Sequence, residues 1–200
     1  MTLTRSLAAL ALLALIASCG GGPQPPRDQF YRLDIAPPSV VLDKPVLNGG
    51  VEIDRFQADG VTIERAIAYS EDKSQLTQYA YHYWVDTPVL MLRDILVEQM
   101  RAAHVAPLVT TPENRAASDF SVLGKVKRFE HRRDNGASAA LLEIELTVLD
   151  ARNGTVLLLK DYAVEEAAAD ASVPAAVDAM NRAVFSLSAK FLTDLSHLTP

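Results

Sequence analysis

The one cysteine of this 200-residue chain, Cys19, closes the segment Leu15-Ile16-Ala17-Ser18-Cys19, directly behind an unbroken apolar run from Leu7 to Ala17. A thiol in that setting can accept a thioether-linked lipid. No other residue set offers chemistry as specific. The four histidines, His82, His104, His131 and His197, are scattered; none forms an i, i+4 pair or neighbours a carboxylate pattern suited to metal binding or acid–base work. Gly20-Gly21-Gly22 and Gly49-Gly50 lack the strand-to-helix context that lets glycines cradle phosphate. Glu143 and Glu145 form a carboxylate pair, but on what reads as the polar face of a strand. The expectation is a chain with no catalytic residues, no metal and no cofactor, hence no enzyme.

The apolar run itself is short. Its eleven residues at about 1.5 Å each reach roughly half of a ~30 Å hydrocarbon core, so it reads as a signal peptide rather than a spanning helix. Arg5 supplies a thin positive flank, and Ala17 and Ser18 are small enough to enter a peptidase cleft. With the branched aliphatic Ile16, these types resemble a bacterial lipobox. The resemblance implies a diacylglyceryl thioether on Cys19, cleavage before it, and a further acyl chain (typically palmitate) on the new amino group. Two or more chains give stable anchoring where one is reversible. An ordinary secretory signal with an accidental cysteine is the other reading. The organisation expected is residues 1–18 as signal peptide, 19–28 as lipidated cysteine and Gly/Pro tether, and 29–200 as one domain.

Removing residues 1–18 takes away Arg5 and no acid, which leaves 18 basic and 25 acidic side chains and a formal net charge of −7. That balance argues against nucleic acid as a partner. With Cys19 lipidated no thiol remains, so disulfides and Cys-based zinc sites cannot hold the fold.

The elements that must position any site follow from periodicity. Alternation predicts strands at Phe30–Asp34, Val51–Phe56 and Val61–Tyr69, the last as neighbour of the second. Gln75–Trp84 reads as a strand with Tyr79, Tyr81 and Tyr83 on one face and Ala80, His82 and Trp84 on the other. Thr87-Pro88 opens a helix with an apolar stripe to Ala103, inside a βαβ-like crossover to a short strand at Val105–Val109. Phe120, Val122 and Val126 alternate and then slip phase before Phe129, which predicts a bulge near Lys127-Arg128. Leu142, Ile144, Leu146 and Val148 mark the next strand, Asp150 to Gly154 the strongest turn signal, and Val156–Val164 the returning strand. Val177, Met180, Val184, Leu187, Phe191 and Leu195 lie on one face of a closing helix capped by Ser172. The fold class expected is α/β: a mixed, largely antiparallel sheet of about six strands covered by two long helices.

Two surfaces stand out. Lys125, Lys127, Arg128, His131, Arg132 and Arg133 concentrate positive charge in an acidic chain. They read either as an edge strand guarded by charge or as a dock for an acidic partner or lipid headgroup. Tyr83 and Trp84 are core packing or a competing aromatic dock.

Phe30-Tyr31-Arg32-Leu33, Val51 to Phe56, and above all Leu76-Thr77-Gln78-Tyr79-Ala80-Tyr81-His82-Tyr83-Trp84 running into Pro88, resemble the ABC-type transport auxiliary lipoproteins, the PqiC-like family. The hairpin at Asp150–Gly154 and the Ala-rich closing helix fit the same pattern. Tyr83 departs from it, standing where a basic residue often precedes the tryptophan. The resemblance implies a periplasmic, membrane-anchored component working with an ABC permease and ATPase and an MCE-domain protein that carries lipid between membranes. The ATPase would be another chain. Gly20 after the acylated cysteine, rather than Asp, points to the outer membrane, and a homo-oligomer is possible. A structural assembly lipoprotein and an envelope hydrolase are the other classes. The hydrolase lacks a triad or metal set.

Anchoring is expected to depend on Cys19. Cys19→Ala should abolish labelling by a fatty-acid probe and release the protein from the membrane fraction. Unchanged membrane association without label would refute the assignment.

Overall fold

The computed structural model describes residues 26–72, 75–134 and 136–198; Cys19 and the residues up to 25 lie outside them. Nine strands and two helices follow in the order β1 (Gln29–Tyr31), β2 (Gly50–Ile53), β3 (Gln57–Ala58), β4 (Ala66–Ser70), β5 (Leu76–Trp84), α1 (Pro88–Ala102), β6 (Leu108–Thr110), β7 (Phe120–Asp134), β8 (Ala137–Asp150), β9 (Thr155–Ala167) and α2 (Val173–Ser196).

One mixed sheet contains all nine strands. β7, β8 and β9 form a long antiparallel meander. The second edge of β7 is shared in series by three short parallel partners: β2 along Phe120–Val122, β3 along Lys125–Val126, and β4 along His131–Arg132. β6 runs parallel to β2 on its far side. β5 is antiparallel to β4, and β1 is parallel to β5 at the outer edge.

Several expectations change. Among the described residues the strands number nine rather than about six; β3, two residues long, is the parallel piece that no alternation marks. Val61–Tyr69 is not a single strand beside β2. Gly60–Ile63 forms a 3₁₀ turn, and β4 begins at Ala66 against β5 and β7. Nor does α1 sit in a parallel βαβ unit, since β5 opposes β4 while β6 runs with β2 and β7. The first strand is Gln29–Tyr31, and the one expected at Val105–Val109 is Leu108–Thr110.

The predicted bulge is present. Val126 pairs with Ile144 and Arg128 with Glu143, which leaves Lys127 as the extra residue. That insertion resets the alternation, so Phe129 joins Val122 and Val126 in the core. Both helices lie on this core side and touch each other. α2 buries Val177, Met180, Val184, Leu187, Phe191 and Leu195, the stripe read from the sequence. They meet Leu142, Ile144, Leu146 and Val148 of β8, and the Phe191 ring stands edge-on to Tyr162 at 5.8 Å. Ser172 accepts the N–H of Ala175 at 3.3 Å as N-cap. Thr87 occupies the N-cap of α1 without a side-chain cap bond, and Pro88 opens the first turn.

Two glycines are required for different reasons. A Cβ on Gly124 would meet the Phe56 ring at 2.6 Å, so the close approach demands glycine. Gly154 has φ +76° in the β8–β9 turn, donates to the carbonyl of Asp150 at 2.8 Å, and has open space around its Cα. Its constraint is purely conformational. Gly154→Val should therefore cost about 1–3 kcal/mol in thermal melts, whereas Gly154→Asn should retain most of the stability. An unchanged melting temperature for the valine variant would contradict the turn assignment.

Candidate functional site

The sheet face opposite the helices is open and laced with charge. On it the outward residues of β7, β8 and β9 alternate in sign across the strands. Lys127, displaced by the bulge, reaches both Glu145 at 3.1 Å and Asp161 at 2.5 Å, and these two carboxylates hold its amine above its ordinary pKa. Arg132 forms a two-pronged pair with Glu165, one contact at 2.9 Å. Arg128 pairs with Glu130, which also accepts from Ser70 at 2.9 Å. Lys125 meets Asp59 at 3.1 Å.

The basic cluster is thus neutralised in place: β8 and β9 supply the carboxylates for Lys127 and Arg132, β7 itself supplies Glu130 for Arg128, and Asp59 meets Lys125. Its strand is not an edge, because β7 is paired on both sides. That removes the edge-guarding explanation for the charges. Arg133 departs from the group. It alternates to the helix side of the sheet, with its guanidinium 5.7 Å from the Tyr69 ring centre and Glu71 at 3.9 Å. Exposed ion pairs such as those of Lys127 and Arg132 contribute only about 0–1 kcal/mol each, so they set a surface pattern more than they hold the fold. Glu130, the partner of Arg128, is buried. The partner carboxylates were legible in part: Glu143 and Glu145 share one strand face, and Asp161 and Glu165 recur at even spacing on the next.

β5 is irregular. Tyr83 pairs with Ala66 and Gln78 with Ala68, so four residues of β5 oppose one of β4, and Tyr81 takes φ +65° within the irregularity. The expected split of Tyr79, Tyr81 and Tyr83 from His82 and Trp84 is thereby broken. Tyr79 and His82 meet edge to face at 5.9 Å. The Tyr31 hydroxyl is hydrogen-bonded to His82 Nδ1 at 2.9 Å. Tyr79 is bonded in turn to His131 Nδ1 at 2.8 Å, and His131 Nε2 to Ser138 Oγ at 2.7 Å. Tyr83 stacks instead beside Phe30 at 5.8 Å. Trp84 is only 3% exposed and packs on Phe129 at 5.3 Å, so it belongs to the core and not to a docking surface.

A smaller feature escaped sequence reading. Arg93, nearly buried, pairs with Glu113 at 3.1 Å and Asp94 at 3.2 Å in a shallow cleft with Arg55 and Phe56. Hydrogen bonds from its own backbone, Thr111 and Arg93 push the Glu113 carboxyl down to about 2.

Residues 31–191 match the family model described as ABC-type transport auxiliary lipoprotein component. The chain belongs to this family. Its members are transport auxiliaries rather than enzymes, and the lipoprotein class is anchored to membranes of the cell envelope. Among solved structures, protein XCC0632 from Xanthomonas campestris aligns over 82% of this chain and 92% of its own, with TM-score 0.74 and 16% identity. A crystal structure of an uncharacterized protein aligns over 85% and 99%, with TM-score 0.65 and 14% identity. At these identities the likeness is one of fold. No curated protein matches the sequence. In this chain the sheet presents one helix-covered face and one charged, open face.

Burial, reinforced by Arg133, pushes the His131 imidazole down to about 4. Between about pH 6.5 and 4 the unfolded chain binds a proton there that the folded chain refuses. The stability from the neutral ring is complete above 6.5 and declines as pH falls toward 4. From pH 7 to 4.5 the native chain should lose on the order of 2 kcal/mol more than His131→Asn, by urea melts. Equal losses would show that His131 does not carry this dependence.

Proposed function

We propose that this chain is a lipid-anchored, non-enzymatic component of an ABC/MCE-type lipid transport system. It is tethered through Cys19 in the periplasm, at the outer membrane, and docks the transporter with its open sheet face. Family membership supports the auxiliary role. The observation that carries the docking claim is the lattice of Lys127 with Glu145 and Asp161 and of Arg132 with Glu165, laid flat across three long strands, with the Arg128–Glu130 pair beside it. Such alternating charge is suited to orienting and selecting a partner more than to raw affinity. A lipid handed between membranes needs an oriented path, which a docked auxiliary supplies without a nucleophile. Gly20 behind Cys19 favours the outer membrane.

Simple charge reversal would place like charges together, so the better test exchanges partners. Arg132→Glu combined with Glu165→Arg keeps the pair and inverts the pattern. Affinity purification from membranes with the native protein should recover an MCE-domain protein with its permease and ATPase. The exchanged variant should recover about tenfold less at an unchanged melting temperature. Undiminished recovery would remove the open face from docking. Recovery of a different outer-membrane assembly would favour the assembly-lipoprotein reading.

A further inference from the structure

The outer corner of the sheet, where β1 meets the end of β5, carries side chains that the docking reading does not use. Phe30 is 56% exposed and Val85 41%, and Tyr81, at 43%, is turned out by its left-handed backbone. A bulky residue at positive φ is an outlier that persists only where its surroundings enforce it. Here it presents a ring to solvent. Tyr83 lies beside Phe30, and the Arg65 guanidinium sits 5.5 Å over the Phe30 ring while its Nε donates to the Trp84 carbonyl at 3.1 Å. Arg27 and Arg32 flank the same strand and are exposed.

We propose that this corner seats the domain on the surface of the bilayer that holds Cys19, with Phe30, Tyr81 and Val85 in the headgroup zone. The proposal rests on the Cys19 anchor. Chain length selects this occupant. Six residues separate Cys19 from Pro26, and the seven fully extended steps between the two Cα atoms span at most about 25 Å. β1 follows within three residues and is the outermost strand on that side of the sheet. No other part of the described domain is held so close to the lipid.

The chemistry agrees. Rings with one apolar and one polar end, together with guanidinium groups, partition to the membrane–water interface. The attraction is not Coulombic, because Asp28, Glu64 and Asp86 border the corner. Glu64 already accepts from Gln78 at 2.9 Å, and Asp86 from the Thr87 N–H at 2.7 Å. The net charge of −7 keeps the remainder of the domain away from anionic headgroups. Seating on the β1 corner leaves the lattice on β7–β9 accessible, so anchor and dock occupy different regions of the molecule.

The test uses the mature acylated chain, in which Cys19 is blocked and any introduced thiol is the only one. Nitroxide labels are placed at Phe30→Cys, Val85→Cys or, as reference, Leu159→Cys on the opposite edge strand. All three positions are exposed. On binding to phosphatidylethanolamine–phosphatidylglycerol vesicles, collision with an aqueous nickel relaxant should fall about threefold at positions 30 and 85 and stay unchanged at 159. Labels at 30 and 85 as accessible as 159, on a chain that mass spectrometry shows acylated and that floats with the vesicles, would overturn the seating and leave the anchor standing. A chain that carries no lipid on Cys19 and does not float would overturn the anchor and this proposal together. A corner meant for a protein partner would give the first of these outcomes, since the vesicles contain lipid alone.

Discussion

β7 has to satisfy two edges and two faces at once, and the rest of the molecule is arranged around that requirement. One edge is zipped to β8 from Phe120–Asp150 to Asp134–Ala137. The other is divided among β2, β3 and β4, none of which could form a stable pair alone. The Lys127 bulge makes both faces possible. It keeps Phe129 and His131 inward with Val126 while Arg128, Glu130 and Arg132 stay outward. The same displaced residue spans to Glu145 and Asp161, so the bulge that maintains the core also ties together the open face.

The large apolar core and the charge pattern are thereby separated between the two sides of one sheet. The helix side holds the large buried side chains, Phe191, Leu195, Leu142 and Leu146 among them, each contributing about 1.5–3 kcal/mol by burial. The open side holds ion pairs worth far less apiece. Surface charges can be exchanged there with little consequence for folding, which is the property an interface specialised for one partner requires. The polar chain from Tyr79 through His131 to Ser138 lies at the rim of the helix-covered side, where β5 loses its regular alternation.

What the sequence made legible were the features encoded locally. α2 followed from its 3- and 4-residue apolar spacing, β8 from strict alternation, the β8–β9 turn from Asn153-Gly154, and the bulge from a slip in phase. The parallel pairings of β2, β3 and β6 were not legible. Alternation marked β2 as a strand, but the partners of these short strands lie far along the chain and leave no mark in their own sequence. The irregularity at Tyr81 was hidden for a related reason: a positive φ at a tyrosine is imposed by tertiary contacts, and no glycine marks it. The basic cluster was visible as a composition, but the carboxylates that neutralise Lys127 and Arg132 come from strands 18 to 34 residues away. Sequence proximity showed the charges and concealed their pairing.

The central claim is that the auxiliary lipoprotein faces its transporter with the open sheet rather than with the helical layer. Photo-cross-linking in intact cells tests this most directly, with a photoreactive residue at Leu123 on the open face or at Lys190 on α2, both exposed. Products containing a transporter component should form from position 123 and be absent from position 190. Products confined to position 190, with position 123 silent, would contradict the account.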